Sequence, residues 1–292
     1  MLHVLAPAKL NLYLRVLGKR PDGYHEIETV FERIDLADEL TFEPHQDLVL
    51  TCTDPTLSCG EDNLVVRAAR LLQQASGGCR GARIQLAKRI PIAAGLGGGS
   101  SDAAATLLGL SRLWELGWDA TRLIPLAARL GADVPFFFSE APMAVGRGRG
   151  EVCEPMAGAR RLTQLLVVPS DRLSTKDIYA QARFDLTAPK PSITMMQHAL
   201  CNGSLGELAR GLWNDLAPEA IRRCPVIATI QSILDRLGCV GVCVSGSGPA
   251  VFGLCADMAQ AEAIAGSVRR HPWRVQIVQT WRGEPASKVS VR

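Results

Sequence analysis

Apolar and polar positions alternate, with frequent β-branched residues, over residues 2–5, 11–17, 26–35 and 39–44, so the first third of the chain is expected to be rich in sheet. Pro21, Asp22 and Gly23 interrupt the alternation as a tight turn, with proline preset for its second position and glycine free to close it. The period then lengthens. Leu64, Ala68, Leu71 and Leu72 fall on one face of a helix that opens at Asn63 and ends at Gly77 and Gly78. Residues 82–86 return to strand and lead into a glycine-rich stretch. Beyond it Ala104, Leu107, Leu108, Leu110, Leu113 and Trp114 predict a helix closed by Gly117, and a second helix over 120–130 stops at Gly131. Residues 131–138 then read as a turn carrying Asp133 ahead of an apolar strand.

The pattern changes beyond about residue 155. A buried strand is expected at 162–168, a short helix at 176–181, and longer helices at 194–210 and 226–237. Residues 240–245 and 250–255 read as a hairpin around Gly246, Ser247, Gly248 and Pro249. A helix at 258–269 and a strand at 274–279 complete the order. This is an α+β arrangement without repeats, divided into units 1–155 and 156–292. With 292 residues, 47% of them hydrophobic, the chain is long enough to bury two cores.

Charge and cysteine content narrow the classes. A net charge of +3, with no basic block, argues against nucleic acid as the main partner. Arg147 and Arg149, set among Gly146, Gly148 and Gly150, read as an exposed turn. The most apolar late stretch, 239–256, is broken at 245–249 and falls short of the ~20 residues a membrane span needs. The amino terminus lacks the basic and long apolar segments of a secretory signal. Nine cysteines include no Cys-x-x-Cys pair, and Cys239 and Cys243 have no histidines at ligand spacing. Reduced thiols in a cytoplasmic protein are expected rather than structural zinc.

The candidate chemistry lies in Pro91, Ile92, Ala93, Ala94, Gly95, Leu96, Gly97, Gly98, Gly99, Ser100 and Ser101, which run directly into a helix. Glycines leave the backbone amides uncovered, and a helix start adds free donors and a positive dipole end, which suits a phosphate. The stretch lacks the Gly-Lys-Ser/Thr of a Walker loop. It also places Ser100 where a dinucleotide fingerprint has its third glycine. Ser101 is expected either to cap the helix or to approach a metal ion, and Asp102 to turn away from the phosphates or meet them through a cation.

Three separated segments resemble the motifs of the galactokinase, homoserine kinase, mevalonate kinase and phosphomevalonate kinase (GHMP) superfamily. They are Pro7-Ala8-Lys9-Leu10-Asn11-Leu12, the glycine and serine stretch, and Gly246-Ser247-Gly248-Pro249-Ala250. Further segments resemble the branch whose members phosphorylate a cytidine diphosphate derivative of methylerythritol on the non-mevalonate isoprenoid route. These are Arg20-Pro21-Asp22-Gly23-Tyr24-His25, Asp62-Asn63-Leu64, Lys88-Arg89-Ile90-Pro91, Gly131-Ala132-Asp133-Val134-Pro135 and Asn214-Asp215-Leu216. The departures are Ile92, where methionine or valine is commoner, and Lys176 in a weakly defined substrate loop.

The resemblance implies an amino-terminal ATP-binding domain of ribosomal-protein-S5-like βαβ architecture and a carboxy-terminal ferredoxin-like α+β domain, with the active site in the cleft between them. It implies ATP as donor, Mg2+ bound with it, Lys9 and Asp133 as the catalytic pair, and residues 91–101 around the phosphates. Asn63 and Lys88 are expected near adenine or ribose, and Asn11, Tyr24, His25 and Thr175 on the acceptor. Metal ligands on the protein, and the choice between monomer and homodimer, stay open at this point.

Overall fold

The structure, a computed structural model, describes residues 1–283; residues 284–292 of the expected second unit lie outside the described residues. The chain opens with two long antiparallel strands, β1 (Leu2–Lys19) and β2 (His25–His45), which anchor a seven-stranded sheet. Beyond β2 lie β4 (Gly81–Ala87) and the edge strand β3 (Leu48–Cys52). A hairpin of β5 (Met143–Arg147) and β6 (Val152–Pro155) pairs with the early half of β2.

Sequence alternation predicts four short strands where the structure has two long ones. Residues 6–14 are buried without interruption, because the sheet is covered on both faces there, and that hides the period of two. β1 also shifts register between Pro7 and Lys9, between Asn11 and Tyr13, and between Val16 and Gly18. These irregularities break the pattern without ending the strand.

Three helices cover one face: α1 (Leu64–Ser76), α2 (Gly98–Leu113) and α3 (Ala120–Leu130). Val65, Leu72, Leu107, Leu110 and Leu123 pack there on Phe42, Ile84 and Phe136. At Gly109 a Cβ would stand 2.5 Å from the Phe42 ring, so glycine lets α2 press directly onto β2. The expected apolar strand at 135–138 is instead a 3-10 turn, Pro135–Phe138. Val134 is already helical, and the amides of Phe137 and Ser139 donate three residues back, to the carbonyls of Val134 and Phe136.

The second half builds a four-stranded antiparallel sheet in the order β11 (Arg274–Gln279), β7 (Thr163–Val168), β10 (Val251–Cys255), β9 (Gly241–Val244). Around it lie α4 (Thr175–Gln181), α5 (Ile193–Cys201), α6 (Leu205–Gly211), α7 (Ala217–Arg223), α8 (Val226–Arg236) and α9 (Met258–Val268). The single helix expected over 194–210 is two, because Ser204 and Glu207 form a capping box that starts α6 afresh.

A two-residue strand, β8 (Trp213–Asn214), leaves this half to pair in parallel with β1. One core joins Ala8, Leu10 and Leu12 of β1 to Met196, Leu166 and Phe252, and another joins Leu14 and Val16 to Val167, Ile227 and Val251. β1 is therefore the seam between the halves. No helix of the described residues is long and apolar enough to cross a membrane.

Candidate active site

The β1 seam delivers the first site residue. Lys9 follows the irregularity after Pro7, and its amide donates to the Leu96 carbonyl at 2.9 Å, which fixes the strand to the glycine stretch. Its ammonium donates to Asn11 Oδ1 at 2.5 Å and stands 3.5 Å from Asp133 Oδ2. Asn11 in turn donates from Nδ2 to Thr29 Oγ1 at 2.8 Å, and the Thr29 hydroxyl donates to the Tyr13 carbonyl at 2.6 Å. Both ends of the Asn11 amide are thus engaged in orienting the lysine.

Asp133 arrives from the other direction. α3 stops at Gly131, and the turn that follows presents the Asp133 carboxylate at 32% exposure, whereas the Lys9 side chain is only 4% exposed. A buried, braced cation facing an accessible carboxylate leaves room for a ligand on the carboxylate side. Its neighbours respond: burial, then the charges of Asp133 and Glu151, push the Cys153 thiol up to about 12.

The glycine stretch lies against this pair. Ala93, Gly95 and Gly97 all have positive φ, at 53°, 79° and 67°. A Cβ on Gly97 would stand 2.8 Å from Lys9 Cγ, and one on Gly95 would stand 2.1 Å from the Ser245 carbonyl oxygen. Gly97 is the N-cap of α2 and supplies no side chain to the first-turn amides. Ser101 therefore does not cap the helix, contrary to one expectation. It lies within the first turns, and its buried hydroxyl has no partner. First-turn amides that no side chain caps, an orphaned hydroxyl on the same helix start and Lys9 against Gly97 form a cradle that fits phosphate groups.

Asp102 turns away from the cradle and meets a cation, Lys88, at 2.8 Å. Lys88 also pairs with the fully buried Asp38 at 2.5 Å, and the other Asp38 oxygen accepts from the amides of Arg89 and Ile90. Burial pushes the Asp102 carboxyl above the ordinary carboxylate range even beside Lys88. For Lys88 the two carboxylates outweigh burial and raise its pKa. Its ammonium is thus committed to holding both ends of the glycine stretch. A cavity of about 230 Å³ opens beside Lys88, Arg89, Pro91 and Ile92 and is lined on its other side by Arg172 and Arg274 from the second half. Asn63 caps α1, accepting from the Val65 amide at 2.9 Å and donating to the Ser58 carbonyl at 2.6 Å.

Two family patterns match the chain. Residues 63–140 match the one described as GHMP kinases N terminal domain, and residues 196–272 the one described as GHMP kinases C terminal. The chain belongs to the GHMP kinase family. It is 42% identical over 279 residues to the 4-diphosphocytidyl-2-C-methyl-D-erythritol kinase of Pelotomaculum thermopropionicum, a match covering 95% of this chain and 97% of that one. The crystal structure of a 4-(cytidine 5'-diphospho)-2C-methyl-D-erythritol kinase is similar at a TM-score of 0.81 and 38% identity, covering 96% of this chain and 100% of that one. Homoserine kinase from Cytophaga hutchinsonii shares the fold, at a TM-score of 0.77 and 17% identity over 99% of this chain and 97% of that one.

The remaining expected residues of this GHMP kinase fall into two groups. Thr175 shares a 2.8 Å hydrogen bond with Ser247, which brings the start of α4 to the third glycine motif. Tyr24 is exposed, with the Arg149 guanidinium 4.9 Å from its ring centre. His25 stacks on Tyr179 at 5.3 Å and meets Phe184 edge-on at 5.2 Å. Burial, and then the charge of Lys19, lower its pKa.

The sequence does not single out Tyr179, Phe184 or Arg149 as neighbours of Tyr24 and His25. Tyr179 and Phe184 belong to a short helix and the loop after it. Arg149 reads as a plain turn residue until the β5–β6 hairpin brings it over Tyr24.

Proposed function

We propose that this GHMP kinase transfers the γ-phosphoryl group of ATP to the 2-hydroxyl of 4-diphosphocytidyl-2-C-methyl-D-erythritol, giving the 2-phosphate and ADP, in non-mevalonate isoprenoid precursor synthesis. The observation that carries the reading is the convergence of Lys9, Asp133 and the uncapped start of α2, drawn from three distant stretches of chain. The extended match to kinases named for this acceptor supports the choice of substrate.

Phosphoryl transfer to an alcohol asks the protein chiefly for alignment and for charge opposite the oxygens. Residues 95–100 supply amide donors for the phosphates, and Ser101 its side chain. Lys9 supplies a fixed positive charge, braced by Asn11. Asp133 accepts the proton of the acceptor hydroxyl as that oxygen bonds to phosphorus and the bond from phosphorus to the ADP oxygen breaks. The unpartnered Ser101 hydroxyl suits Mg2+ carried in with the donor, which when bound offsets phosphate charge. Among the described residues no group of three His, Cys, Asp or Glu side chains is arranged to hold a metal, so that ion would rest mainly on the phosphates.

At the acceptor end, Tyr24, His25, Tyr179 and Phe184 offer flat faces and a polar ring edge, which suits a pyrimidine. All nine cysteines are free, which supports a reducing, cytoplasmic setting. An ATP-consumption assay tests the reading with the cytidine diphosphate methylerythritol, its uridine analogue, homoserine and mevalonate as acceptors. Selective turnover of the first is expected. Comparable turnover of homoserine or mevalonate would overturn it.

A further inference from the structure

Asn214-Asp215-Leu216 has no part in the chemistry above, yet the Asp215 carboxylate is among the most heavily bonded groups in the molecule. It accepts from the Val16 amide at 2.8 Å, from Trp213 Nε1 at 2.7 Å and from Lys190 Nζ at 2.8 and 2.9 Å. Its own amide donates to the Leu14 carbonyl at 2.9 Å. Asp215 is thus pinned to β1 on both sides of Arg15, by its amide at Leu14 and by its carboxylate at Val16.

Lys190 comes from the loop between α4 and α5, residues 182–192, none of which is classed as buried. Its side chain nevertheless turns inward, to 4% exposure, against an Asp215 side chain at 5%. Withdrawing an ammonium from water is unfavourable unless it is well paired, so such a side chain points to a positional task. The next residue is fastened too, since the Tyr13 hydroxyl donates to the Pro191 carbonyl at 2.9 Å. Between Phe184 and these anchors the loop is tied to itself, with Asp185 accepting from the Thr187 hydroxyl and from the amides of Thr187 and Ala188. The position of Lys190 is therefore passed along a short, self-bonded segment to Phe184, which touches His25.

We propose that Lys190 and Asp215 form a latch that positions the Phe184 loop against His25 and so sets the enzyme's affinity for the cytidine end of its acceptor. Neither residue touches reacting atoms; both act through the aromatic cluster. The inference rests on the reading that this cluster receives the pyrimidine.

The test compares Lys190→Met and Lys190→Arg with the unaltered enzyme in steady-state kinetics, and follows hydrogen exchange of residues 182–188 without substrate. Lys190→Met is expected to speed exchange in the loop and to raise KM for the acceptor about tenfold. KM for ATP and kcat are expected to stay within about twofold, and Lys190→Arg to restore the acceptor KM. Lys190→Gln, which keeps a donor for Asp215, takes the place of the methionine variant if that one does not fold. Unchanged loop exchange would overturn the latch. Faster exchange with an unchanged acceptor KM would instead overturn the placement of cytidine at the cluster. An equal rise in KM for ATP would overturn the role in acceptor specificity.

Discussion

The Lys9 ammonium stands 3.5 Å from the Asp133 carboxylate, but the two are held very differently. Lys9 is buried and braced by Asn11, whereas Asp133 sits on an open turn. That asymmetry supports the proposed division of roles, with the fixed charge on the lysine and the contact with the acceptor hydroxyl on the aspartate. Asp133→Asn keeps the shape and removes the proton acceptor. Turnover is expected to fall by a factor of ~100 or more with KM for ATP nearly unchanged. Steady-state kinetics with ATP and acceptor varied separately checks this, and a wild-type rate would remove Asp133 from the mechanism.

Gly97 is the hinge between the phosphate cradle and the lysine. Its φ of 67° disfavours any side chain, and an added Cβ would meet Lys9 Cγ at 2.8 Å and the Phe137 ring at 3.3 Å. Gly97→Ala is expected to cost about 1–2 kcal/mol of stability. It is also expected to lower kcat by about tenfold or more, because Lys9 must move. Thermal unfolding and kinetics on the same preparation separate the two effects. A variant that loses stability but keeps full kcat would show that the lysine's position is not critical.

The legible parts of this fold are those governed by local rules. α1 and α3 end at glycines that the chain announces, and α3 and β11 run over the residues the pattern marks. The glycine stretch is legible as a phosphate cradle from its residue types alone, whereas Lys9 and Asp133 stand out only through the family resemblance, since by themselves they read as a strand-start charge and a turn residue. What escaped depends on partners distant in sequence. β1 and β2 are long because both faces are covered, and the two-residue β8 is a strand only because β1 lies beside it. The aromatic cluster is of the same kind: nothing near Phe184 in sequence signals that His25 will meet it.

Glu32 makes stability depend on pH. It is fully buried where β2 meets the second sheet, accepting from Gln164 Nε2 and Thr280 Oγ1, each at 2.5 Å. Burial pushes its pKa up from 4.5 to about 8, against these two hydrogen bonds. Between those values the folded protein holds the proton more firmly than the unfolded chain. The stabilisation is therefore full below about pH 4.5 and is lost as pH rises to about 8. When protonated, Glu32 needs an acceptor, and the buried Gln164 Oε1 has no partner, so a turn of that amide provides one. Glu32→Gln is expected to remove a decline on the order of a few kcal/mol between pH 5 and pH 8. Urea unfolding at both pH values checks it; identical slopes for the two proteins would show that Glu32 does not titrate in this range.

Asn63 offers a way to separate a helix cap from a nucleotide contact. Its Oδ1 accepts from the Val65 amide and its Nδ2 donates to the Ser58 carbonyl, so both ends of the side chain are engaged inside the protein. Asn63→Ala is expected to destabilise by about 1 kcal/mol through loss of the cap. Asn63→Ser keeps an oxygen for the α1 amides and is expected to recover most of that stability. If Asn63 serves ATP only by holding the start of α1 in place, the serine variant recovers KM for ATP together with stability. If the amide meets the nucleotide directly, serine recovers stability alone and KM stays high. Unfolding midpoints and KM for ATP measured on both variants distinguish these outcomes, and the geometry of the cap leads us to expect the first.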